Sequence, residues 1–277
     1  MVRKIMAVEH YENFPVASIL LPRRLRRAVE VIYYFARQAD DIADEGDFPD
    51  AERLARLDEF RAGLRRIENG EKPQTPLFEA LAGVVEKFNL PVQLLHDLLD
   101  AFSQDVVKKR YANFDELLDY CRRSANPVGR LLLHLYDEAT PQNLAYSDDI
   151  CTSLQLINFW QDVQKDYAIA RIYLPQDEMA RFGVSEAQIA EGRADAAWQA
   201  LMAFQVQRAG DMMRRGSPLG SILGGRIGLE MRLIIAGGNR ILGKLKKARY
   251  DMFNHRPVLR PLDWPIMLLN SAPFNFR

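Results

Sequence analysis

Apolar residues return every three or four positions along almost the whole chain. From Pro22 to Glu45 they fall at Leu25, Val29, Ile32, Ala36 and Ala43, which places them on one face of an α-helix. The same period runs through Asp50–Asn69, Pro76–Phe88, Pro91–Arg110, Phe114–Arg123, Val128–Glu138, Gln142–Tyr167, Ala194–Arg215 and Ile222–Ala248. Pro22, Pro76, Pro91, Pro141 and Pro218 stand where helices begin or are interrupted. No run of alternating β-branched residues competes with this pattern. The expectation is an all-α bundle of about eight to ten helices, a single domain over residues 1–277 with a central apolar cavity. Glu68–Thr75 reads as a helix–helix loop. Two stretches lack a clear helical period, Ala168–Ala194 and the Pro-containing tail after His255.

Composition narrows the function classes. The 277 residues are 48% hydrophobic and 27% charged, an ordinary globular balance with ample apolar surface for a core. Lys+Arg and Asp+Glu are both 37, which argues against a nucleic-acid partner. Two cysteines, Cys121 and Cys151, make neither a disulfide framework nor a thiolate metal site, and fit a reducing, cytoplasmic setting. The opening residues have no signal-like apolar region, and no apolar run reaches the ~18–20 residues of a membrane span.

Nucleotide motifs are missing: no G-x-G-x-x-G follows a strand and no P-loop occurs, so no nicotinamide cofactor is expected. Gly216, Gly220, Gly224, Gly225 and Gly228 read as close helix packing. The four histidines lie far apart. The chemistry-bearing residues are acidic. Asp40/Asp44 and Asp162/Asp166 are each spaced i, i+4, so each pair shares a helix face. With 21 aspartates in the chain, about 1.6 such pairs arise by chance, so spacing alone decides nothing and the neighbours matter.

On a helical wheel Tyr33, Arg37, Asp40 and Asp44 flank the apolar stripe of the first helix, whereas Asp41 falls further out. The second case is sharper. Gln155, Asn158, Asp162 and Asp166 form one polar stripe, while Leu154, Leu156, Ile157, Phe159, Trp160 and Val163 occupy most of the remaining surface. A helix that is apolar on most sides is largely buried, so its polar stripe faces partners or a wet cavity. Two carboxylate pairs suit hard cations, and Mg²⁺ binds through one or two carboxylates plus substrate phosphates. Several Mg²⁺ ions would hold a diphosphate leaving group, with Arg37, Arg171 and Arg110 as added donors. An apolar bundle then contains a long hydrocarbon. Phe14, Tyr33, Tyr120 and Phe159 offer aromatic faces to a carbocation.

These residues resemble a known family. YYFARQADDIADE (Tyr33–Glu45) and LQLINFWQDVQKDYAIARIYLP (Leu154–Pro175) resemble the two aspartate-rich motifs of the squalene/phytoene synthase family. NFPVASILLP (Asn13–Pro22) resembles its N-terminal segment, and DYCRRSANPVG (Asp119–Gly129) a pocket-lining helix. The resemblance implies the all-α prenyl-synthase fold and Mg²⁺-dependent chemistry on prenyl diphosphates. It implies that Asp40, Asp44, Asp162 and Asp166 bind metal. Arg37, Gln155, Asn158, Arg171 and Tyr173 would serve the diphosphate, and Tyr33 and Tyr120 would be active-site tyrosines.

HYENFPVAS (His10–Ser18), SANPVG and NFWQDV resemble the bacterial hydroxysqualene synthase branch of hopanoid biosynthesis. That resemblance implies a carbon–oxygen lyase that ionises presqualene diphosphate, rearranges the cyclopropane and captures water without a reductant. Gln161 stands where much of the family has Arg. Asn126-Pro127 replaces a usual Gly-x stretch. Asn126, with Gln161 or Tyr120, is expected to place the water. Alternatives are a prenyltransferase making presqualene diphosphate, squalene or phytoene from two prenyl diphosphates, and a non-catalytic helical assembly factor. An oily substrate also suggests neighbouring enzymes of the squalene pathway and peripheral contact with the inner face of the membrane. Arg23, Arg24, Arg26 and Arg27 are one candidate surface. Lys244, Lys246, Lys247 and Arg249, ahead of Trp264, Ile266, Met267, Leu268 and Leu269, are the other.

Overall fold

The computed structural model describes residues 20–271. Phe14 and the stretch His10–Ser18 lie outside the described residues, as does most of Asn13–Pro22. The described chain is helical, with no strand among the described residues. The elements are α1 (Arg23–Asp44), α2 (Asp50–Glu68), α3 (Pro76–Phe88), α4 (Gln93–Val107), α5 (Phe114–Ser124), α6 (Asn126–Tyr136), α7 (Pro141–Ala168), α8 (Gln176–Phe182), α9 (Glu186–Ala190), α10 (Ala196–Gly216), α11 (Leu219–Ile222), α12 (Gly225–Lys247) and α13 (Asp263–Asn270). The short helices α8, α9 and α13 fall in the stretches that carry no readable period, and α11 lies in the gap between two expected helices, because 4–8 residues show too few turns.

Local chemistry sets the boundaries. Thr75 and Thr140 cap α3 and α7 by accepting from Phe78 N and Asn143 N, each with proline in the first turn. Asn113 and Asp195 cap α5 and α10 in the same way. Asn126-Pro127 opens α6 instead of kinking a longer helix, so α6 starts two residues earlier than the apolar period suggested. Asn89, Asp137 and Gly183 end α3, α6 and α8 in the left-handed region.

Helix α7 is the axis, packed against α5, α6, α9, α10, α11 and α12. Helix α1 packs on α2, α3, α4 and α6. Phe35, Phe60 and Phe78 join α1, α2 and α3, with ring centroids 5.5–6.0 Å apart. One apolar cluster runs from Leu21 to Met252. A second, separate cluster holds Ala36, Leu98 and Val128 with Phe102, on α1, α4 and α6. Gly216, Gly220 and Gly228 act in packing, as expected, whereas Gly224 and Gly225 have no neighbour within 4 Å and Gly225 takes φ +58°. A Cβ at Gly216 would lie 2.6 Å from both Tyr146 O and Ile150 Cγ1 on α7.

Gly216→Ala should therefore cost about 1–3 kcal/mol through overpacking against a backbone oxygen. Gly243→Ala, on α12 with no neighbour within 4 Å, should be neutral or stabilising by up to about 1 kcal/mol. Urea midpoints of the two variants test this contrast, and equal midpoints would show that the α7–α10 contact has slack.

Candidate active site

Two helix ends and two loops meet at the acidic residues. Helix α1 carries Tyr33, Arg37, Asp40 and Asp44 down its last three turns. Helix α7 carries Gln155, Asn158, Asp162 and Asp166 along its C-terminal half, all half-buried. Beyond α7 the chain turns sharply: Ala170 has φ +62°, and Arg171 N donates to Asp166 O at 2.8 Å. The following residues run beside the segment after α4, with Ile172 N donating to Lys109 O at 3.0 Å and Gln176 N to Tyr111 O at 2.9 Å.

The turn inserts Arg171 into the interior. It is 8% exposed. Its guanidinium grips both oxygens of Asp44, with Nη1–Oδ2 at 3.0 Å, and Nη2 donates to Asp105 O at 3.2 Å. It is also an electrostatic neighbour of Asp40 and of Asp166. The two aspartate pairs, more than a hundred residues apart in sequence, thus share one cation.

The four aspartates differ. Burial, reinforced by Asp44, pushes the Asp40 carboxyl up to about 6, against the pull of Arg37. Burial, reinforced by Asp162, pushes Asp166 up to about 7. Burial also acts on Asp162, but Arg256 and Lys165 outweigh it and hold that carboxyl below its ordinary value. Arg256 grips Asp162 through Nε–Oδ1 at 2.6 Å and Nη2–Oδ2 at 2.9 Å. Arg37 is held by Asp40, Asp41 and Glu45 at 3.2, 2.7 and 2.8 Å.

A buried carboxylate lies beneath these pairs. Asp105, in the last turn of α4, is 7% exposed. Tyr120 Oη donates to its Oδ2 at 2.7 Å, and Tyr173 Oη lies 3.4 Å from its Oδ1. Lys109 Nζ donates to its backbone oxygen at 2.6 Å. Burial raises Asp105 to about 7, against Arg171 and the Tyr120 hydrogen bond. Burial, with Asp105 next, also drives both phenols well above their ordinary range. The tyrosines belong to an aromatic floor. Phe159 stacks on Tyr173 with centroids 3.7 Å apart and planes at 9°. Tyr111 and Tyr120 complete the group. The rings close the floor: the space beside Phe159, Trp160, Asp166, Arg171 and Tyr173 is ≈10 Å³, about one water molecule. The expected roomy cavity is therefore not open at this point.

Other residues singled out from the sequence lie elsewhere. Gln161 Nε2 donates to Pro257 O at 2.6 Å, so its amide is engaged with the segment after α12. Asn126 is buried, and its Oδ1 accepts from Thr152 Oγ1 at 3.0 Å. Arg110 is no phosphate donor here. It forks onto Glu186 at 2.7 Å through both Nε and Nη2, and its Nη1 donates to Ala170 O at 2.6 Å, which braces the turn before Arg171. Asp105, Lys109 and Arg256 were not singled out by sequence reasoning. Asp105 and Arg256 have side-chain partners far off in sequence, and Lys109 stands in the basic run Lys108–Arg110, so no local signal sets any of the three apart.

The donor set fits a hard divalent cation. The available ligands are carboxylate oxygens, and burial with repulsion from Asp44 and Asp162 makes the ionised forms of Asp40 and Asp166 costly, a cost that a bound cation relieves. Among the described residues, no three Asp, Glu, His or Cys side chains form a ready cage. That suits an ion completed by water and substrate phosphates.

The family model described as Squalene/phytoene synthase matches residues 7–263. A hydroxysqualene synthase of Zymomonas mobilis is 36% identical over 228 residues, covering 80% of this chain and 75% of that protein. A phytoene synthase of Arthrospira platensis is 31% identical, covering 92% of this chain and 85% of that protein. The crystal structure of a squalene synthase from Alicyclobacillus acidocaldarius superposes with a TM-score of 0.80 at 36% identity, covering 87% and 90% of the two chains.

The raised carboxyls make stability depend on pH. Unfolded, Asp40, Asp105 and Asp166 lose their protons near 4; folded, they keep them to about 6–7. Their contribution is therefore full below pH 4 and is lost as pH rises through 6–7. With divalent cations chelated, the melting temperature should fall by several degrees between pH 5 and 8, and Asp166→Asn should flatten that fall. A melting temperature that rises across this range would refute the assignment.

Proposed function

Because the chain belongs to the squalene/phytoene synthase family, whose members act on prenyl diphosphates, we propose that it is a hydroxysqualene synthase. It ionises presqualene diphosphate, rearranges the carbocation and lets water capture it, giving hydroxysqualene and diphosphate. The observation that carries this reading is the meeting of both aspartate pairs at Arg171 above an aromatic floor. A further support is the set of hydroxysqualene synthase relatives at 34–36% identity.

Each group has a task. Asp40, Asp44, Asp162 and Asp166 would hold Mg²⁺, which would supply positive charge to the departing diphosphate. Arg171 and Arg37 donate to phosphate oxygens, Arg37 exchanging Asp41 and Glu45 for substrate. Gln155 and Asn158, on the same stripe as the aspartates, orient the diphosphate. The hydrocarbon lies along Ala36, Leu98 and Val128, a small apolar cluster that Phe102 joins to the main core. Tyr120, Phe159 and Tyr173 turn electron-rich faces to the cation, and Tyr33 extends that wall from α1. Capture of water by the cation forms a C–O bond and releases one proton. Tyr120 Oη passes its own proton to Asp105 and takes up the released one, a step suited to a carboxyl near 7. Asn126 keeps its amide N–H groups for the water while its oxygen is held by Thr152. Gln161 acts indirectly, by fastening Pro257 beside the Arg256–Asp162 pair.

The second reading is condensation of two prenyl diphosphates, favoured by the 36% match to a squalene synthase and the 31% match to a phytoene synthase. A product assay by gas chromatography–mass spectrometry separates the two. Purified protein with Mg²⁺ and no reductant should convert presqualene diphosphate, but not farnesyl diphosphate, to hydroxysqualene. Asp162→Asn should lower turnover by about 10²–10³-fold, the scale of losing a preorganised charge partner. Asn126→Gly should shift product away from the alcohol. Turnover of farnesyl diphosphate would move the protein to a condensing activity. Silence with both substrates, in folded protein, would refute catalysis.

A further inference from the structure

Helix α13 is built inside out. Asp263, Met267 and Ser271, one turn apart, are buried against α12. Arg240 Nε donates to Asp263 Oδ1 at 2.7 Å, and Lys244 Nζ meets the other oxygen. Met267 lies over Gly237, and Arg232 Nε donates to Ser271 O at 2.9 Å. α13 therefore runs antiparallel along α12, and this face fixes its orientation. The opposite face should be polar in a helix that meets only water. Instead it presents Leu262 at 83% exposure, Trp264 at 52%, Ile266 at 40% and Leu268 at 52%, with exposed Leu259 and Pro261 just before it. Scattered exposed apolar residues are ordinary, but a contiguous apolar face marks an interaction site.

Charge indicates what covers it. Residues 240–270 hold seven Lys and Arg against two Asp, in a chain whose total is balanced at 37 and 37. One of the two, Asp263, is buried beneath Arg240 and Lys244 and leaves a net positive charge there. The other, Asp251, is occupied by Asn254 and His255. Arg240, Lys244 and Lys247 recur at i, i+4 and i+7, so they line one edge of α12 on the side that holds α13. Arg260 stands exposed at the start of α13, where its backbone N–H donates to Asp263 Oδ2 at 2.7 Å. Neither Lys247 nor Arg260 forms an ion pair among the described residues. No helix of the described residues is long and apolar enough to cross a membrane.

We propose that α13 and the cation edge of α12 dock this protein onto an anionic lipid surface. Trp264, Leu262, Ile266 and Leu268 enter the boundary between headgroups and acyl chains. Lys247, Arg260 and the surplus cations of the Arg240/Lys244 pair meet lipid phosphates. The apolar face suits acyl chains, which have no shape to match, and the edge suits a diffuse anionic plane. An acidic protein groove would need polar groups among the apolar ones, and the face offers none. The segment that leads into α13 also carries Arg256 and Pro257, which grip Asp162 and Gln161, so docking brings the acidic site close to the membrane. The proposal rests on α12 and α13 alone and stands whichever prenyl diphosphate is turned over.

The test is flotation of the full-length protein with vesicles, in low salt, with Trp264 as an internal reporter. Trp160 and Trp198 are fully buried, so Trp264 is the one tryptophan open to lipid. Vesicles with about a third phosphatidylglycerol should carry the protein up, and pure phosphatidylcholine vesicles should carry far less. Brominated acyl chains should quench Trp264. Lys247→Glu/Arg260→Glu should weaken binding more than tenfold, since each cation near such a surface contributes about fivefold. Leu262→Ser/Ile266→Ser should abolish quenching while leaving the circular dichroism and melting temperature unchanged. Either of two results would overturn the proposal: no flotation with anionic vesicles, or flotation that both double variants retain. A dimer in sedimentation that Leu262→Ser/Ile266→Ser dissolves, without vesicle binding, would assign the face to a second copy of the chain instead.

Discussion

A single buried guanidinium organises the site. Arg171 stays charged, so its burial depends on the acids around it, and its charge opposes the burial that pushes those acids up. It spans Asp44 of α1 and the carbonyl of Asp105 on α4, and its charge reaches Asp40 and Asp166. The rest of the local structure serves that placement. The left-handed turn at Ala170 aims the chain inward, and the Arg110–Glu186 fork holds the turn from outside. The pairing of residues 109–112 with 172–177 fixes its depth.

The arrangement leaves charge unbalanced by design of its parts. Arg37 and Arg256 clamp outer acids, and Asp40 and Asp166 are driven toward neutrality by burial and by their neighbours Asp44 and Asp162. A divalent cation with a diphosphate brings opposite charges that suit both sets. Below them the chemistry changes abruptly to stacked rings and one carboxyl shared by two phenols. In the proposed reaction a leaving group sits at one end and a hydrocarbon cation at the other, which is the division that ionisation of a prenyl diphosphate requires.

Much of this was legible because long helices advertise themselves. The apolar period and flanking prolines placed α1 and α7 within a residue of their ends, and the stripe Gln155–Asn158–Asp162–Asp166 showed as a half-buried polar face on a mostly apolar helix. The short helices α8, α9, α11 and α13 were illegible for want of turns. Asp105 was missed because its partners, Tyr120 and Tyr173, lie 15 and 68 residues away, and nothing local marks a single aspartate as buried. Arg256 was missed because it lies in a Pro-containing tail with no period to orient it. Arg110 was misjudged because position beside a motif says nothing of a competing partner such as Glu186, 76 residues on.

Calorimetric titration of inorganic diphosphate into the protein at pH 7.5, once with Mg²⁺ and once with a chelator, is the most direct measurement of whether this carboxylate–guanidinium cluster is a metal–diphosphate site. Saturable binding should occur with Mg²⁺ alone and should weaken at least about tenfold in Arg171→Lys, which keeps the charge but loses the fork. Equal binding with and without Mg²⁺, or no binding in either, would contradict that assignment.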